Sequence, residues 1–269
     1  MAVIALTSAS GAPGVTTTAL GLALVWPKPA LLVEADPSHG SSVLAGYLRG
    51  AVPPRGASLL GLVKAHRVGR LAEAIDDQTV PLDDERRHRL IPALPAPEQA
   101  PVLDSVWDAL AGVFTDLDGH GVDVIVDAGR LGTAHGPHQL LRAADVCALV
   151  TRTQLPAVAA AHARVRSMAE LTDSAGGRSA QLLVVGDGRP YTGAEIAEVT
   201  GLPVLAPLAW DPVGADVLSL GATRPRRWEQ SRFVRDLVGA ADVIARTVEE
   251  RRAPVAAGVV TAQGRWARA

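Results

Sequence analysis

Short runs made up only of apolar residues alternate along this chain with longer stretches whose apolar positions recur at helical spacing. The first kind predicts strands buried on both faces, and the second predicts helices packed against them. Ala2 to Thr7 reads as the first strand. A Gly-rich turn follows, then a helix from Thr16 to Val25 that Trp26-Pro27-Lys28-Pro29 stops. Ala30 to Glu34 is a second strand, Asp123 to Asp127 a third, Val146 to Val150 a fourth, Leu182 to Val185 a fifth and Pro203 to Ala206 a sixth. Residues 49–100 are less regular: Leu59 to Ile75 looks helical, Asp83 to Arg87 a solvated, self-paired charged turn, and Pro92 to Pro101 a loop. This stretch reads as an excursion from the sheet, not a separate domain. Phe233, Leu237, Ala241, Ile244 and Val248 form one apolar face of a final helix. The pattern predicts a doubly wound α/β fold, a mostly parallel sheet with helices on both faces, over residues 1–252, with a flexible tail over 253–269.

Composition adjusts this picture in a few places. Hydrophobic residues make up 48% of the chain and aromatics only 3%, so the core is built from Ala, Val and Leu. The net charge of −2 supplies no global attraction to nucleic acid or anionic lipid, and such binding would need a local patch. Cys147 is the only cysteine and sits in the apolar run Val146 to Val150, which predicts a buried, inert thiol and excludes a disulfide framework. Met1 to Leu6 lacks the basic segment of a signal peptide, and no apolar run reaches the ~20 residues needed to span a bilayer. A cytoplasmic protein is expected. Lys28 and Lys64 are the only lysines; all other positive charge is Arg.

Strand, Gly-rich turn and helix in succession point backbone N–H groups at a phosphate. The turn here runs Ser8-Ala9-Ser10-Gly11-Ala12-Pro13-Gly14-Val15-Thr16-Thr17. A standard phosphate loop ends in Gly-Lys-Ser/Thr, whereas this one ends in Gly14-Val15-Thr16. Further along, Glu34-Ala35-Asp36-Pro37 forms an acidic turn with Gly40 after it, and the third strand closes on Asp127. Ala143 to Val146 opens the next strand. Leu202-Pro203-Val204-Leu205 leads into Pro207-Leu208-Ala209-Trp210-Asp211.

In this order, over roughly residues 1–250, the chain resembles the ParA/MinD branch of P-loop proteins. Aligned on that branch's loop, Ser10 stands at the signature lysine and Val15 at the second lysine, while Gly11, Gly14, Thr16 and Thr17 are kept. The resemblance implies a nucleotide site at Ser10, Gly11, Gly14, Val15, Thr16 and Thr17, with ATP or ADP as the ligand. It also implies Mg²⁺ held by Thr16, Asp36 and Asp127. Val184 to Asp187 stands where the branch has its adenine-side Asn. Arg130 and Arg189 are loop candidates for a substitute cation. With both lysines gone, the expectation is a pseudo-ATPase with weak or no hydrolysis. The chain is most similar in style to septum-site, TadZ and CpaE-type proteins. That likeness implies a homodimer that serves as a localisation or scaffold factor for pilus assembly, secretion, or septum or chromosome positioning, recruited to a pole, septum or nucleoid. The other reading is an ATP-driven switch bound to DNA or membrane.

Two further groups stand out. His135 and His138 lie in a Gly-Pro loop with no carboxylate or cysteine near in sequence, and read as solvated. Arg224, Arg226, Arg227 and Arg232, with Trp228 among them, form the densest basic cluster and are the candidate nucleic-acid contacts.

Overall fold

The computed structural model describes residues 2–10, 13–116, 121–173 and 180–266, with side chains as far as 252 except at 173. Its strands are β1 (Val3–Ser8), β2 (Ala30–Glu34), β3 (Val80–Pro81), β4 (His88–Ile91), β5 (Asp123–Arg130), β6 (Val146–Arg152), β7 (Gln181–Val185) and β8 (Val204–Leu208). Its helices are α1 (Val15–Val25), α2 (Ser42–Ala45), α3 (Leu59–Arg67), α4 (Leu71–Ala74), α5 (Trp107–Asp116), α6 (His138–Ala143), α7 (Leu155–Asp173), α8 (Gly193–Thr200), α9 (Pro212–Ser219) and α10 (Arg232–Trp266). The tail proposed from residue 253 onwards begins inside α10.

The strands form one sheet in the order β3-β4-β2-β5-β1-β6-β7-β8. All neighbours are parallel except β3, which runs antiparallel to β4. Because side chains alternate along a strand, each strand feeds two cores. Val3 and Ala5 of β1, Leu31 and Val33 of β2, and Val124 and Val126 of β5 face one core, with Leu62, Trp107, Phe114, Leu140 and Met168 from helices. Ile4 and Leu6, Leu32 and Ile125 face the other, with Leu20, Leu22, Leu218, Phe233, Leu237 and Ile244. Buried runs without polar alternation therefore become central strands covered on both sides, as the sequence pattern predicts. Cys147 is buried among them, and its burial pushes the thiol up to about 12.

The stretch 49–100 departs from expectation. It contributes β3 and β4 to the sheet edge, and its long helix is broken by Gly69 at φ 71 into α3 and α4. Among the described residues the charged turn forms no side-chain ion pair of its own; its internal bonds run from backbone N–H groups to Asp83. The Asp83 carboxylate accepts hydrogen bonds from Arg87 N at 2.9 Å and His88 N at 3.1 Å, and holds the buried His88 ring at 2.6 Å. That anchor delivers β4 to β2, and the sequence pattern misses the strand because it opens on His88-Arg89. The start of the sheet is pinned in a similar way: Asp123 accepts from Ala2 N at 2.5 Å and Trp26 Nε1 at 2.8 Å. Asp145 accepts from Val3 N at 2.9 Å and from Arg252 Nη2 of α10 at 2.6 Å.

The chain winds one way from β1 to β2 and, after β5, the other way to β6. The strand ends beside β1 thus form the crevice in which doubly wound sheets place ligands. Behind it α10 lies on α1 so closely that a Cβ on Gly21 would come within 2.7 Å of Leu237 Cδ1. Leu237→Ala is expected to lower stability by about 2–4 kcal/mol, read as a fall in the urea midpoint with an unchanged m-value. A midpoint equal to that of the parent chain would contradict this packing.

Candidate functional site

The C-terminal ends of β1, β5, β6, β7 and β8, with the turns after β1, β2 and β8, line a pocket of about 690 Å³ at the C-terminal edge of the sheet. That size is in the range of small-molecule sites. Its floor is the turn from β1 into α1. Gly14 adopts φ 99, a left-handed conformation open to glycine, and Thr18 N bonds back to Gly14 O at 2.8 Å. Gly11 lies outside the described residues. No side chain caps α1 and no acid lies in its first turn, so the helix offers its N-terminus to the pocket. Thr16 and Thr17 line the floor half-buried, and Ser10 lies just before the turn. Val15 is buried, packed in the same core as Ile4, Leu6 and Leu20. The first residue of α1 is therefore a branched apolar side chain held in the core.

Three of the expected side chains converge beside this floor. Thr16 Oγ1 donates to Asp127 Oδ2 at 2.5 Å, and Gly129 N donates to Asp127 Oδ1 at 3.0 Å. Burial pushes the Asp127 carboxyl up to about 6, against the pull of those two donors. Asp36 reaches across from the turn after β2 to lie directly over Gly129. A Cβ there would collide with the Asp36 carboxylate, and Gly129 also has φ 59. Burial opposes ionisation of Asp36, yet hydrogen bonds from His39 and Ser38 outweigh it and hold the group below its ordinary value. His39 Nε2 lies 3.4 Å from Asp36 Oδ2, and its hydrogen bond to Asp36 raises the imidazole to about 9 although partial burial opposes this. Among the described residues no group of three His, Cys, Asp or Glu side chains forms a metal site. Two carboxylates and a hydroxyl beside a phosphate turn suit Mg²⁺, which takes few protein ligands and fills its shell with water and phosphate.

Other sequence candidates are placed elsewhere. Glu34, in the same acidic turn as Asp36, turns away from the pocket. It accepts from the Ser41 hydroxyl and from Val43 N at 3.0 Å, which closes the turn before α2. Burial pushes it up to about 7 in spite of those donors. Lys28 and Lys64 are exposed, and neither lines the pocket. Arg130 lines it, whereas Arg189 does not. Asp187 accepts from Gly193 N at 2.6 Å and serves the turn before α8. His135 has a carboxylate partner after all: Asp104 approaches its Nδ1 at 2.7 Å from the segment before α5.

In the basic cluster, Trp228 is buried and donates Nε1 to Gly214 O at 3.3 Å, so its ring is not offered to a nucleic acid. Arg224 lies 5.1 Å over that ring and bonds Tyr47 OH, and Arg232 pairs with Asp236 at 3.6 Å. Arg226 and Arg227 remain exposed. Two pocket residues were missed by sequence reasoning. Arg152, at the end of β6, and Trp210, after β8, meet with the guanidinium carbon 4.4 Å from the ring centroid. The available signal was slight: an arginine closing an apolar strand.

A Gly-containing turn at the switch point of a doubly wound sheet, with one acid on the adjoining β5 and another after β2, gives an α/β protein of the P-loop architecture. Comparison with solved structures narrows the fold to that of MinD and ParA ATPases. A ParA family ATPase from Chlorobium tepidum superposes with a TM-score of 0.69 at 17% identity, over 89% of this chain and 99% of that one. The MinD cell division protein of Aquifex aeolicus gives 0.66 at 17% identity, over 91% and 97%. The septum site-determining protein MinD of Pyrococcus horikoshii, complexed with Mg-ADP, gives 0.65 at 17% identity, over 92% and 97%. No protein-family model and no curated protein sequence matches the chain.

The two raised carboxyls set a pH dependence. Glu34 and Asp127 bind a proton more tightly in the folded chain than in the unfolded one, from 4.5 to about 7 and from 3.8 to about 6. Their contribution to stability is therefore fully present at low pH and is lost as pH rises through the folded values. Glu34→Gln is expected to remove about 1–3 kcal/mol of the decline between roughly pH 4.5 and 7, measured as urea-unfolding free energy at both ends of the window. An unchanged decline would count against the buried, proton-holding Glu34.

Proposed function

We propose that this chain is a ParA/MinD-like pseudo-ATPase: a nucleotide-fold protein with weak or no ATP hydrolysis that acts as a dimeric localisation or scaffold factor. The observation that carries the reading is Val15, buried in the core at the aligned position of the loop lysine, together with Ser10 at the signature lysine. In phosphoryl transfer the loop lysine neutralises charge on the terminal phosphates, and catalysis is mostly positioning and electrostatic stabilisation. A hydrogen bond to a charged group contributes about 1.5–3 kcal/mol. Losing two such contacts weakens triphosphate binding by roughly 10²–10⁴-fold, and turnover suffers further.

In this reading Thr16, Asp36 and Asp127 are the groups that would hold Mg²⁺, and ADP or ATP would enter with it. The partner is a protein of a pilus-assembly, secretion, septum or chromosome-positioning system. Among the described residues no helix is long and apolar enough to cross a membrane. The exposed Arg226 and Arg227 leave a non-specific DNA contact as part of the same proposal. A second reading, an ATP-driven switch, draws support from one feature: Arg130 and Arg152 line the pocket and bring positive charge into it.

Calorimetric titration with ATP and Mg²⁺, run beside a phosphate-release assay, separates the two. The scaffold reading expects no phosphate release above background and affinity weaker than micromolar; micromolar binding with turnover would establish the switch. The Val15→Lys chain, with Ser10→Lys added, is expected to bind Mg-ATP at least ~10-fold more tightly than the parent. No gain in a variant that still melts cooperatively would mean that the missing lysines do not limit the site.

A further inference from the structure

We infer that Arg152 is the anion-binding residue of the pocket, and that it contacts the phosphate nearest the sugar of a nucleoside 5′-phosphate. The inference rests on reading the pocket as a nucleotide site and adds which cation the site uses.

Three strand ends build the position. Thr151 and Thr153, on either side of Arg152, are buried. Strand alternation turns the intervening side chain the other way, into the pocket it lines. Thr153 Oγ1 donates to Gly186 O at 3.0 Å and also bonds Arg189 O, which ties the end of β6 to the turn after β7. That turn passes close beneath Trp210: Gly186 has φ 84, and a Cβ on it would lie 3.4 Å from Trp210 Cβ. Trp210 is thereby set where the Arg152 guanidinium lies 4.4 Å from its ring centroid. An aromatic face attracts the guanidinium charge without taking its N–H donors, which stay suited to a planar or tetrahedral oxyanion.

The N–H edge is not fully used within the chain. Arg152 Nε is buried and has no hydrogen-bond partner among the described residues. Buried donors rarely stay unpaired in folded proteins, so such a group asks for a partner from outside. The other charged groups at the pocket are differently engaged or placed. Asp36 is held by His39 and Ser38, Asp211 accepts from Gly214 N at 2.9 Å to cap α9, and Arg130 is exposed at the rim. Asp216 adds a further carboxylate to the lining.

Position selects the ligand. The sheet order β1-β6-β7-β8 places Arg152 between the phosphate turn after β1 and the apolar wall of Leu208, Trp210 and Pro212 after β8. A ligand with its flat apolar part against that wall and its phosphates over Gly14 and Thr16 brings the sugar-proximal phosphate to Arg152. Without lysines at the turn, distal phosphates gain little. The charge that recognises the ligand has moved from the loop to β6.

The test is equilibrium binding of adenosine, AMP and ADP, and of the guanine series, to the full chain and to Arg152→Gln and Arg152→Lys. The parent chain should bind AMP and ADP with similar affinity, both at least ~10-fold above the nucleoside. Arg152→Gln should weaken both nucleotides by about 10–100-fold and leave the nucleoside unchanged, while Arg152→Lys recovers part of the loss. Three results overturn the inference. If Arg152→Gln binds ADP as the parent does, Arg152 is not the contact and the nucleotide reading stands. If nucleoside and nucleotide weaken equally, Arg152 only packs the Trp210 wall. If the parent binds neither series at millimolar concentration, the nucleotide reading beneath the inference fails as well.

Discussion

The Asp127 carboxylate sits wholly inside the protein at the end of a central strand, supported by one threonine hydroxyl and one backbone N–H. A charge in such a place is costly unless opposed by another charge or a metal. The neighbouring turns respond to that constraint. Asp36, pressed over Gly129, keeps its own charge because His39 stands against it. Thr16 is committed to Asp127, which fixes the first turn of α1 relative to β5. At the first residue of α1, Val15 extends the hydrophobic core. Asp36, Asp127 and the Thr16 hydroxyl stand together beside the turn into α1, the set to which the proposed reading gives the metal.

Much of the fold could be read from the chain because the central strands are continuous apolar runs and the chain order of a doubly wound sheet fixes their neighbours. Ala30 to Glu34 is predicted and observed with the same bounds, and the apolar face of the final helix is buried as its spacing requires. The edge was not readable. β4 enters on His88-Arg89, and Asp83 grips His88 from the preceding turn at its start, a contact that periodicity does not register. Gly69 divides an apparently continuous helix through its left-handed backbone, which the apolar spacing on either side conceals.

The candidate site divides along similar lines. Thr16, Asp36 and Asp127 could be singled out because each closes or follows a strand beside the Gly-rich turn, and the structure brings the three together. Glu34 occupies the same acidic turn but faces α2. Arg152 and Trp210 lie far apart in sequence and meet only because β6, β7 and β8 are adjacent and Gly186 lets their ends close up. A basic residue at a strand end carries no mark of its role until the neighbouring strand is known. Trp228 shows the opposite failure: an aromatic among arginines reads as a binding surface, and the fold spends it on the core beneath α9.

Under the proposed reading, a chain with Val15 and Ser10 in place of the loop lysines does not let a terminal phosphate govern its association. The measurement that reaches this claim most directly is sedimentation velocity of the full chain over a concentration series, carried out without nucleotide, with ADP, and with ATP, each in the presence of Mg²⁺. The account predicts the same association constant in all three conditions. A dimer that assembles with ATP and disperses with ADP would contradict it.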